Sequence, residues 1–329
     1  RGSPASVPAP GSGSGVSLER ALELAERGRG KVEHTHPLVG AVLLREGEVV
    51  GEGWYAGSGT PHAEAAALAA AGERARGATL YVTLEPCAHE GNTPPCADAV
   101  IAAGVSRVVA GAQDPNPKVD GRGFERLRKA GVEVEVVESW EARLQNEAWR
   151  AWISRRRPFI TYKVAVTLDG RVTLPGSRWV SGEESRRKVH ELRADSDAVA
   201  VGMGTVRADE PALTARGVGA GRQPRRLAFG SGPLPEGSEL ELRSGELDEE
   251  LRALAEEGVR SLLLEGGPTL AAAFLAADLV DKLLVFVAPV LAGEGAEMVV
   301  VLPEPIRLTR FSSEPVGEDV LLTAYVHEP

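Results

Sequence analysis

The sequence predicts two α/β domains in tandem, the first a three-layer α/β/α arrangement. Three observations predict it. Short apolar runs alternate with helical patterns from residue 17 to about residue 140, and strands alternating with helices build layered α/β domains. A charged, tryptophan-bearing stretch, Glu141–Trp152, interrupts the pattern, and a second alternation begins at Phe159 without repeating the first. The length of 329 residues is long for one core and comfortable for two.

Residues 1–15 are almost all Gly, Pro, Ser and Ala and are expected to form a flexible tail. Leu18, Ala21, Leu22 and Ala25 recur at helical spacing, which predicts a helix over 17–27 with Ser17 as N-cap. Val39–Leu44 and Val49–Glu52 flank Glu46-Gly47 and read as a hairpin. A helix over Ala63–Ala71, a strand over Thr79–Leu84, a helix over Cys96–Ala103 and a strand over Arg107–Ala110 follow. A helix over Gly123–Lys129 and a strand over Val132–Val136 complete a first domain, 16–142, whose sheet is expected to be largely parallel.

Residues 143–158 read as a connecting helix and linker ending at Arg155-Arg156-Arg157-Pro158, with the arginines on a solvated face in preference to a phosphate site. The second domain, 159–329, opens with a strand from Phe159 to Ala165, then a helix over 183–194 and a strand over Ala198–Val201. Strand Arg226–Phe229, helix 247–257, strand Ser261–Leu264, helix Thr269–Ala277, strand Leu283–Ala288 and the stretch Val320–Val326 close it. Two turns there carry glycines, Gly202-Met203-Gly204-Thr205 and Glu265-Gly266-Gly267-Pro268-Thr269. Glycine lets a backbone approach a ligand, although neither turn is a Rossmann fingerprint.

Composition narrows the function. Apolar residues make up 43% and charged residues 26%, as in an ordinary soluble domain protein. A net charge of −10 disfavours nucleic acid as a partner. No apolar run approaches the roughly 20 residues needed to span a bilayer, so no membrane partner and a cytoplasmic location are expected.

Chemistry concentrates in Pro61-His62-Ala63-Glu64 and in Glu85-Pro86-Cys87 with Pro95-Cys96. One imidazole and two thiolates suit zinc, and a catalytic zinc keeps three protein ligands with one position open. His-x-Glu followed by Pro-Cys and a further Cys is the signature of zinc-dependent base deaminases, whose glutamate moves protons and does not bind metal. His62, Cys87 and Cys96 are therefore the candidate ligands and Glu64 the catalytic proton carrier. His62 and Glu64 stand two apart, so both serve one site best if His62 opens a helix. Cys96 at the start of a helix gains from the helix dipole. A closed structural zinc site would recruit His89, but it leaves Glu64 without a task. A disulfide between the chain's only two cysteines is the other reading, and with no secretory segment preceding them reduced thiols are expected.

Together these residues resemble the bifunctional riboflavin-biosynthesis deaminase–reductases, from about residue 17 to the end of the chain. In the first domain the resemblance rests on His62-Ala63-Glu64, Glu85-Pro86-Cys87-Ala88-His89, Thr93-Pro94-Pro95-Cys96 and Gln113-Asp114-Pro115-Asn116-Pro117. The eight-residue gap between the cysteines separates this family from deaminases whose gap is two. In the second domain it rests on Lys163 with Thr167-Leu168-Asp169-Gly170-Arg171, Ser177-Arg178-Trp179, His190-Glu191-Leu192-Arg193, Thr205 with Asp209-Glu210-Pro211, and the Glu265 turn.

The resemblance implies a cytidine-deaminase-like domain followed by a dihydrofolate-reductase-like domain. It implies zinc-dependent hydrolytic deamination of 2,5-diamino-6-(5-phosphoribosylamino)pyrimidin-4-one, then NADPH-dependent reduction of the ribosyl group to ribityl, in a homodimer. By position, His89, Asp114 and Asn116 would contact the pyrimidine substrate in the first domain. Ser177, Arg193, Leu213, Arg216 and Glu265 would hold the substrate in the second, the arginines suiting phosphate. Ala165, Trp179, Thr205, Asp209, Ser231, Gly267, Pro268, Thr269, Leu270, Ala271, Ala272 and Ala273 would line the NADPH site, with Lys163 and Asp209 near the reacting carbon. Arg222, Arg225 and Arg226 are expected beside the cofactor's 2′-phosphate.

Three positions depart from the family's pattern. His36, in His34-Thr35-His36-Pro37, stands at the place of an asparagine that contacts substrate. Asn92 replaces a cation, and Gly230-Ser231 replaces an Asp-Ser ahead of a shortened stretch. The alternatives are a deaminase with a retuned reductase domain, or a non-catalytic zinc protein dimerising through its second domain; an intact Glu64 opposes the last.

Overall fold

The computed structural model describes residues 14–32, 35–89, 94–299 and 301–329. The expected tail up to residue 13, His34 and Asn92 lie outside the described residues. The chain divides into two compact units, one ending at Ser154 and joined by the terminal Pro329, the other running Arg155–Glu328.

The first unit contains α1 (Ser14–Glu26), the hairpin β1 (Gly40–Arg45) and β2 (Glu48–Trp54), α2 (Ala63–Ala71), a 3₁₀ turn (Gly72–Ala75) and β3 (Thr79–Val82). It continues with α3 (Cys96–Ala102), β4 (Arg107–Ala110), α4 (Arg122–Lys129), β5 (Glu133–Val136), α5 (Trp140–Gln145) and α6 (Glu147–Arg155). The sheet order is β2-β1-β3-β4-β5. Only β3, β4 and β5 run parallel; β1 is antiparallel to both β2 and β3. The expectation of a largely parallel sheet is corrected here, because a tight hairpin forces its two strands antiparallel.

Alternation along the strands makes the three layers. Ala41, Leu43, Leu80, Val82, Val108 and Ala110 face one way, into the core shared with α2, α3 and α4. Val42, Tyr81 and Val109 face the other way, onto Leu18, Ala21 and Leu24 of α1. Ser17 lies inside α1 and does not cap it. α2 lies flush on β2 because two glycines allow it: a Cβ at Gly53 would sit 2.3 Å from the Ala63 carbonyl oxygen, and one at Gly51 2.3 Å from that of Ala67. The expected single connecting helix is two. The break falls at Asn146, whose side chain accepts from the Leu38 N–H (2.8 Å) and donates to the Leu38 carbonyl (2.9 Å).

The second unit runs β6 (Phe159–Thr167), α7 (Glu183–Asp195), β7 (Ala198–Gly202), α8 (Met203–Asp209), β8 (Arg225–Phe229) and β9 (Glu241–Arg243). It ends with α9 (Leu247–Glu256), β10 (Ser261–Leu264), α10 (Pro268–Ala276), β11 (Lys282–Ala288), β12 (Thr309–Val316) and β13 (Asp319–Tyr325). Its eight strands are ordered β12-β13-β11-β6-β10-β7-β8-β9. Neighbours from β11 to β9 are parallel, and β13 and β12 close the far edge antiparallel. One face packs on α9 and α10 through Leu251, Leu254, Ala271 and Phe274. The other packs on α8 through Met203 and Val206.

The amino ends of these strands hold buried ions. Arg157 is buried, and its Nη1 and Nη2 donate to the fully buried Asp281 carboxylate at 2.6 and 2.9 Å. The same carboxylate pairs with Arg155 and accepts the Ile160 N–H at 2.8 Å. Neither the solvated-face nor the phosphate reading of the arginine triplet therefore applies to Arg155 and Arg157. Their partner lies more than a hundred residues along the chain, where no local pattern points to it.

Candidate functional site

In the first unit, His62 is extended (φ −61°, ψ 158°) and α2 begins at the next residue. The imidazole thus leaves the helix start while Glu64 lies in the first turn, 4% exposed. Cys87 comes from the segment after β3, and Cys96 is the first residue of α3. His62 Nδ1 lies 3.2 Å from Cys96 Sγ and 3.7 Å from Cys87 Sγ, and the Cys96 N–H donates to Cys87 Sγ at 3.3 Å. All three ligand atoms lie within 4.8 Å of one another. Tetrahedral zinc requires ligand atoms about 3.6 Å apart, from bonds of about 2.0 Å to nitrogen and 2.3 Å to sulfur. The donor set and its spacing fit zinc. His89 is exposed and stands outside this group, and both cysteines are free thiols.

The electrostatics suit proton transfer. The Cys87 thiol is held down to about 4, first by its hydrogen bond with Cys96 and then by that with His62. Its hydrogen bond to Cys87 and its own burial push Cys96 up. Burial pushes the Glu64 carboxyl up to about 7. A cation held by the three donors would draw that value down again, toward the ionised carboxylate that can accept a proton. The Tyr55 ring meets His62 edge-on at 5.7 Å, and His36 lies 5.7 Å beyond Tyr55. His36 is thus one ring removed from a candidate ligand.

The candidate substrate loop is equally ordered. Asp114 is 6% exposed, and its Oδ1 accepts the Asn116 N–H at 2.7 Å. Burial pushes the Asp114 carboxyl up to about 7, and the charges of Glu85 and Cys87 add to that.

In the second unit, Glu265 follows β10, and its carboxylate accepts from Arg193 Nε (2.6 Å) and Nη2 (3.0 Å) and from Lys163 Nζ (3.3 Å). Burial alone would raise this carboxyl, but Lys163 and Arg193 outweigh it and hold the group at about 2. Arg193 also donates to the Thr214 carbonyl at 3.1 Å. His190 Nδ1 stands 3.1 Å from that oxygen and 3.3 Å from the Arg216 amide. Lys163, Arg193, Glu265 and the 213–216 loop therefore come together. His190 is a member that sequence reasoning left without a role, although its spacing of three from Arg193 puts both on one face of α7.

Leu213 has φ +52° with its side chain in the core, so only its backbone can reach a ligand. Ala271, fully buried, cannot touch a cofactor through its side chain. The Ser177 hydroxyl donates to the Trp179 carbonyl at 2.8 Å. Trp179 is 52% exposed, with the guanidinium groups of Arg178 and Arg186 over its ring. Asp209 is exposed at the end of α8.

The two glycine turns adjoin each other. β7 and β10 are neighbours, yet β7 leads through α8 to β8 on one side and β10 leads through α10 to β11 on the other. Such a reversal opens a crevice at the carboxyl ends of the strands, where dinucleotides bind. A Cβ at Gly202 would lie 3.5 Å from Leu270, and one at Gly267 3.5 Å from Thr205 Oγ1. A dinucleotide such as NADPH fits this crevice. Ser231 stands beyond β8 at the same edge, its carbonyl accepting from Arg207 at 2.6 Å.

The three arginines expected at the 2′-phosphate are elsewhere. Arg225 opens β8 opposite Ala198, at the amino edge of the sheet, and pairs with Glu241 and Glu257. Arg222 pairs with Asp197, and Arg226 with Glu239. Charge alone did not reveal which end of the strand they occupy.

Residues 16–112 match the family described as the cytidine and deoxycytidylate deaminase zinc-binding region, and residues 158–322 the RibD C-terminal domain. The riboflavin biosynthesis protein RibD of Aquifex aeolicus is 40% identical over 343 residues, covering 93% of this chain and 96% of that protein. That of Escherichia coli is 41% identical over 332 residues, covering 87% and 90%. A solved structure of Acinetobacter baumannii RibD aligns with a TM-score of 0.80 at 33% identity, over 95% of this chain and 98% of that one. A Thermotoga maritima structure described as a diaminohydroxyphosphoribosylaminopyrimidine deaminase/5-amino-6-(5-phosphoribosylamino)uracil reductase aligns with a TM-score of 0.79 at 33% identity, with the same coverage. The first unit thus has the fold of the cytidine and deoxycytidylate deaminase zinc-binding region and the second that of the RibD C-terminal domain. With matches spanning both units, the chain belongs to the RibD family, the bifunctional zinc-dependent deaminases and reductases of riboflavin biosynthesis.

Proposed function

We propose that Glu64 carries the protons of the first reaction, in which water replaces the 2-amino group of 2,5-diamino-6-(5-phosphoribosylamino)pyrimidin-4-one and ammonia leaves. The observation that carries this reading is a buried carboxyl beside, but not among, the three converging donors His62, Cys87 and Cys96. Zinc held by those donors supplies a Lewis acid that readies water for attack. Glu64 takes a proton from the water and returns one to the departing amine. His89, Asp114 and Asn116 orient the pyrimidine.

In the second reaction the ribosyl group becomes ribityl, for which bound NADPH would supply the hydride. Gly202, Thr205, Gly267 and the first turn of α10 take the dinucleotide, with Trp179 and Ser231 at its sides. Arg193, Arg216 and Ser177 hold the phosphoribosyl part. Lys163, oriented by its contact with Glu265, serves the reacting carbon together with Asp209. The functional domains are 16–142 and 159–329 with 143–158 between them, acting as a cytoplasmic homodimer on a small molecule, without nucleic acid or membrane. A net charge of −10 supports the exclusion of polyanions. No helix among the described residues is long and apolar enough to cross a membrane.

Incubation of the zinc-loaded protein with the diaminopyrimidine, with and without NADPH, followed by mass analysis, tests both halves. Without NADPH the product has exchanged an amine for oxygen; with NADPH it has also gained two hydrogens. Unchanged substrate overturns the deaminase assignment. A deaminated product that NADPH leaves unaltered overturns the reductase assignment alone.

A further inference from the structure

Glu85 belongs to the Glu-Pro-Cys motif, yet nothing in the chemistry above employs it. Its side chain is 4% exposed, and its carboxylate has no basic side chain within 4 Å among the described residues. A buried charge without a counter-ion is costly unless hydrogen bonds satisfy it. Four backbone amides do so. Oε2 accepts from Asp114 N (3.3 Å) and Gly121 N (2.9 Å), and Oε1 from Gly123 N (2.8 Å) and Phe124 N (3.3 Å). The donors belong to the Asp114 loop and to the start of α4, two segments that share no ladder with Glu85.

The arrangement extends in both directions. The Glu85 N–H donates to the Ala112 carbonyl at 3.0 Å, so backbone and side chain both hold the stretch that leads to Asp114. Asp114 in turn accepts the Asn116 N–H at 2.7 Å, and Asn116 Oδ1 accepts the Lys118 N–H at 3.1 Å. The carboxylate can reach its partners only because residue 123 is glycine. A Cβ there would lie 2.0 Å from the Pro86 carbonyl oxygen and 3.1 Å from Glu85 Oε1.

We infer that Glu85 is a positioning residue of the deaminase, fixing the Asp114–Asn116 loop to the segment that leads into Cys87 so that the loop meets the pyrimidine in register with the metal corner. The inference rests on the proposed role of Asp114 and Asn116 in substrate binding. His62, Cys96 and Glu64 are placed by the starts of α2 and α3, and only Cys87, two residues beyond Glu85, shares its segment. Loss of the anchor therefore loosens substrate placement, while two of the three metal donors keep the helix starts that position them.

The test is Glu85→Gln in the full chain, measured beside Asn116→Ala. The amide puts a donor against amide N–H groups that need an acceptor. Deaminase KM and kcat, zinc per chain and reductase turnover are followed in both variants. Glu85→Gln is expected to raise deaminase KM about tenfold or more while kcat changes less than about threefold, with zinc content and reductase turnover unaltered. If Asn116→Ala raises KM and Glu85→Gln does not, the anchoring inference is wrong. If Asn116→Ala leaves KM unchanged, the loop does not bind substrate, and both the assignment and the inference fall. Loss of zinc at unchanged KM would make Glu85 a support of the metal corner alone, which also overturns it. Should Glu85→Gln not fold, hydrogen exchange on the wild-type protein decides. Slow exchange at the amides of Asp114, Gly121, Gly123 and Phe124 supports the anchor, and fast exchange at Asp114 and Gly121 overturns it.

Discussion

Two side chains beside the metal corner show how little identity says without surroundings. Glu64 is an ordinary carboxylate raised to about 7 by burial, next to three donors it does not join. Glu64→Gln keeps the shape and removes the proton carrier. Zinc content should stay near that of the wild type while deamination falls by about 10²–10⁴-fold; metal analysis and a single-turnover rate measure the two together. His36 stands beside Tyr55, one ring from His62. His36 is exposed, so the contact is one that bound substrate would bury; an imidazole cannot reproduce the paired donor and acceptor of an amide, and leaving such a contact unmade costs about 1–3 kcal/mol. His36→Asn should therefore raise deaminase kcat/KM about tenfold, and an unchanged value would show that the loop has been rebuilt. His62, Glu64, Cys87 and Cys96 were legible in the sequence because chemistry dictates both their kinds and their short spacings. Arg222, Arg225 and Arg226 were misread because a run of charge does not say which end of a strand it occupies.

At the scale of elements, legibility followed burial. α2, β4 and β10 coincide with their expected bounds, since each is a short apolar run, largely buried, that ends at a turn signal. β12 was missed: it is exposed along nearly its whole length, shows no alternation and contains Pro315. β9 has only three residues, and α8 was read as a turn because its first residues include Gly204 and Thr205. The start of β6 depends on distant partners, since Asp281 fastens Arg157 and the Ile160 amide just ahead of β11. Removing one partner of a buried ion pair costs about 3–5 kcal/mol, because the remaining charge stays desolvated. Asp281→Asn should lower the melting temperature by several degrees while leaving KM for NADPH unchanged, as calorimetry and steady-state kinetics will check.

Across the whole molecule, each unit answers to its own conditions. A chelator should abolish deamination yet leave NADPH oxidation with pre-deaminated substrate intact, which separates the two halves in one preparation. Acid should act on the second unit through Glu265. Its carboxyl is held near 2 against an ordinary 4.5, so the stability it contributes is complete above 4.5 and is lost as pH falls from there toward 2. Glu265→Gln should flatten that part of the pH–stability curve, and denaturant midpoints between pH 5 and 2 would show it. The parallel sheet adds a consequence of a different kind. Asp281, Asp197 and Arg225 crowd the amino edge, whereas Gly202, Ser231 and Glu265 lie at the carboxyl edge. Inheritable change at one edge alters how long the protein survives, and at the other what it recognises. A lineage carrying this layout can therefore adapt to heat and to a new ligand by separate routes, neither waiting on the other.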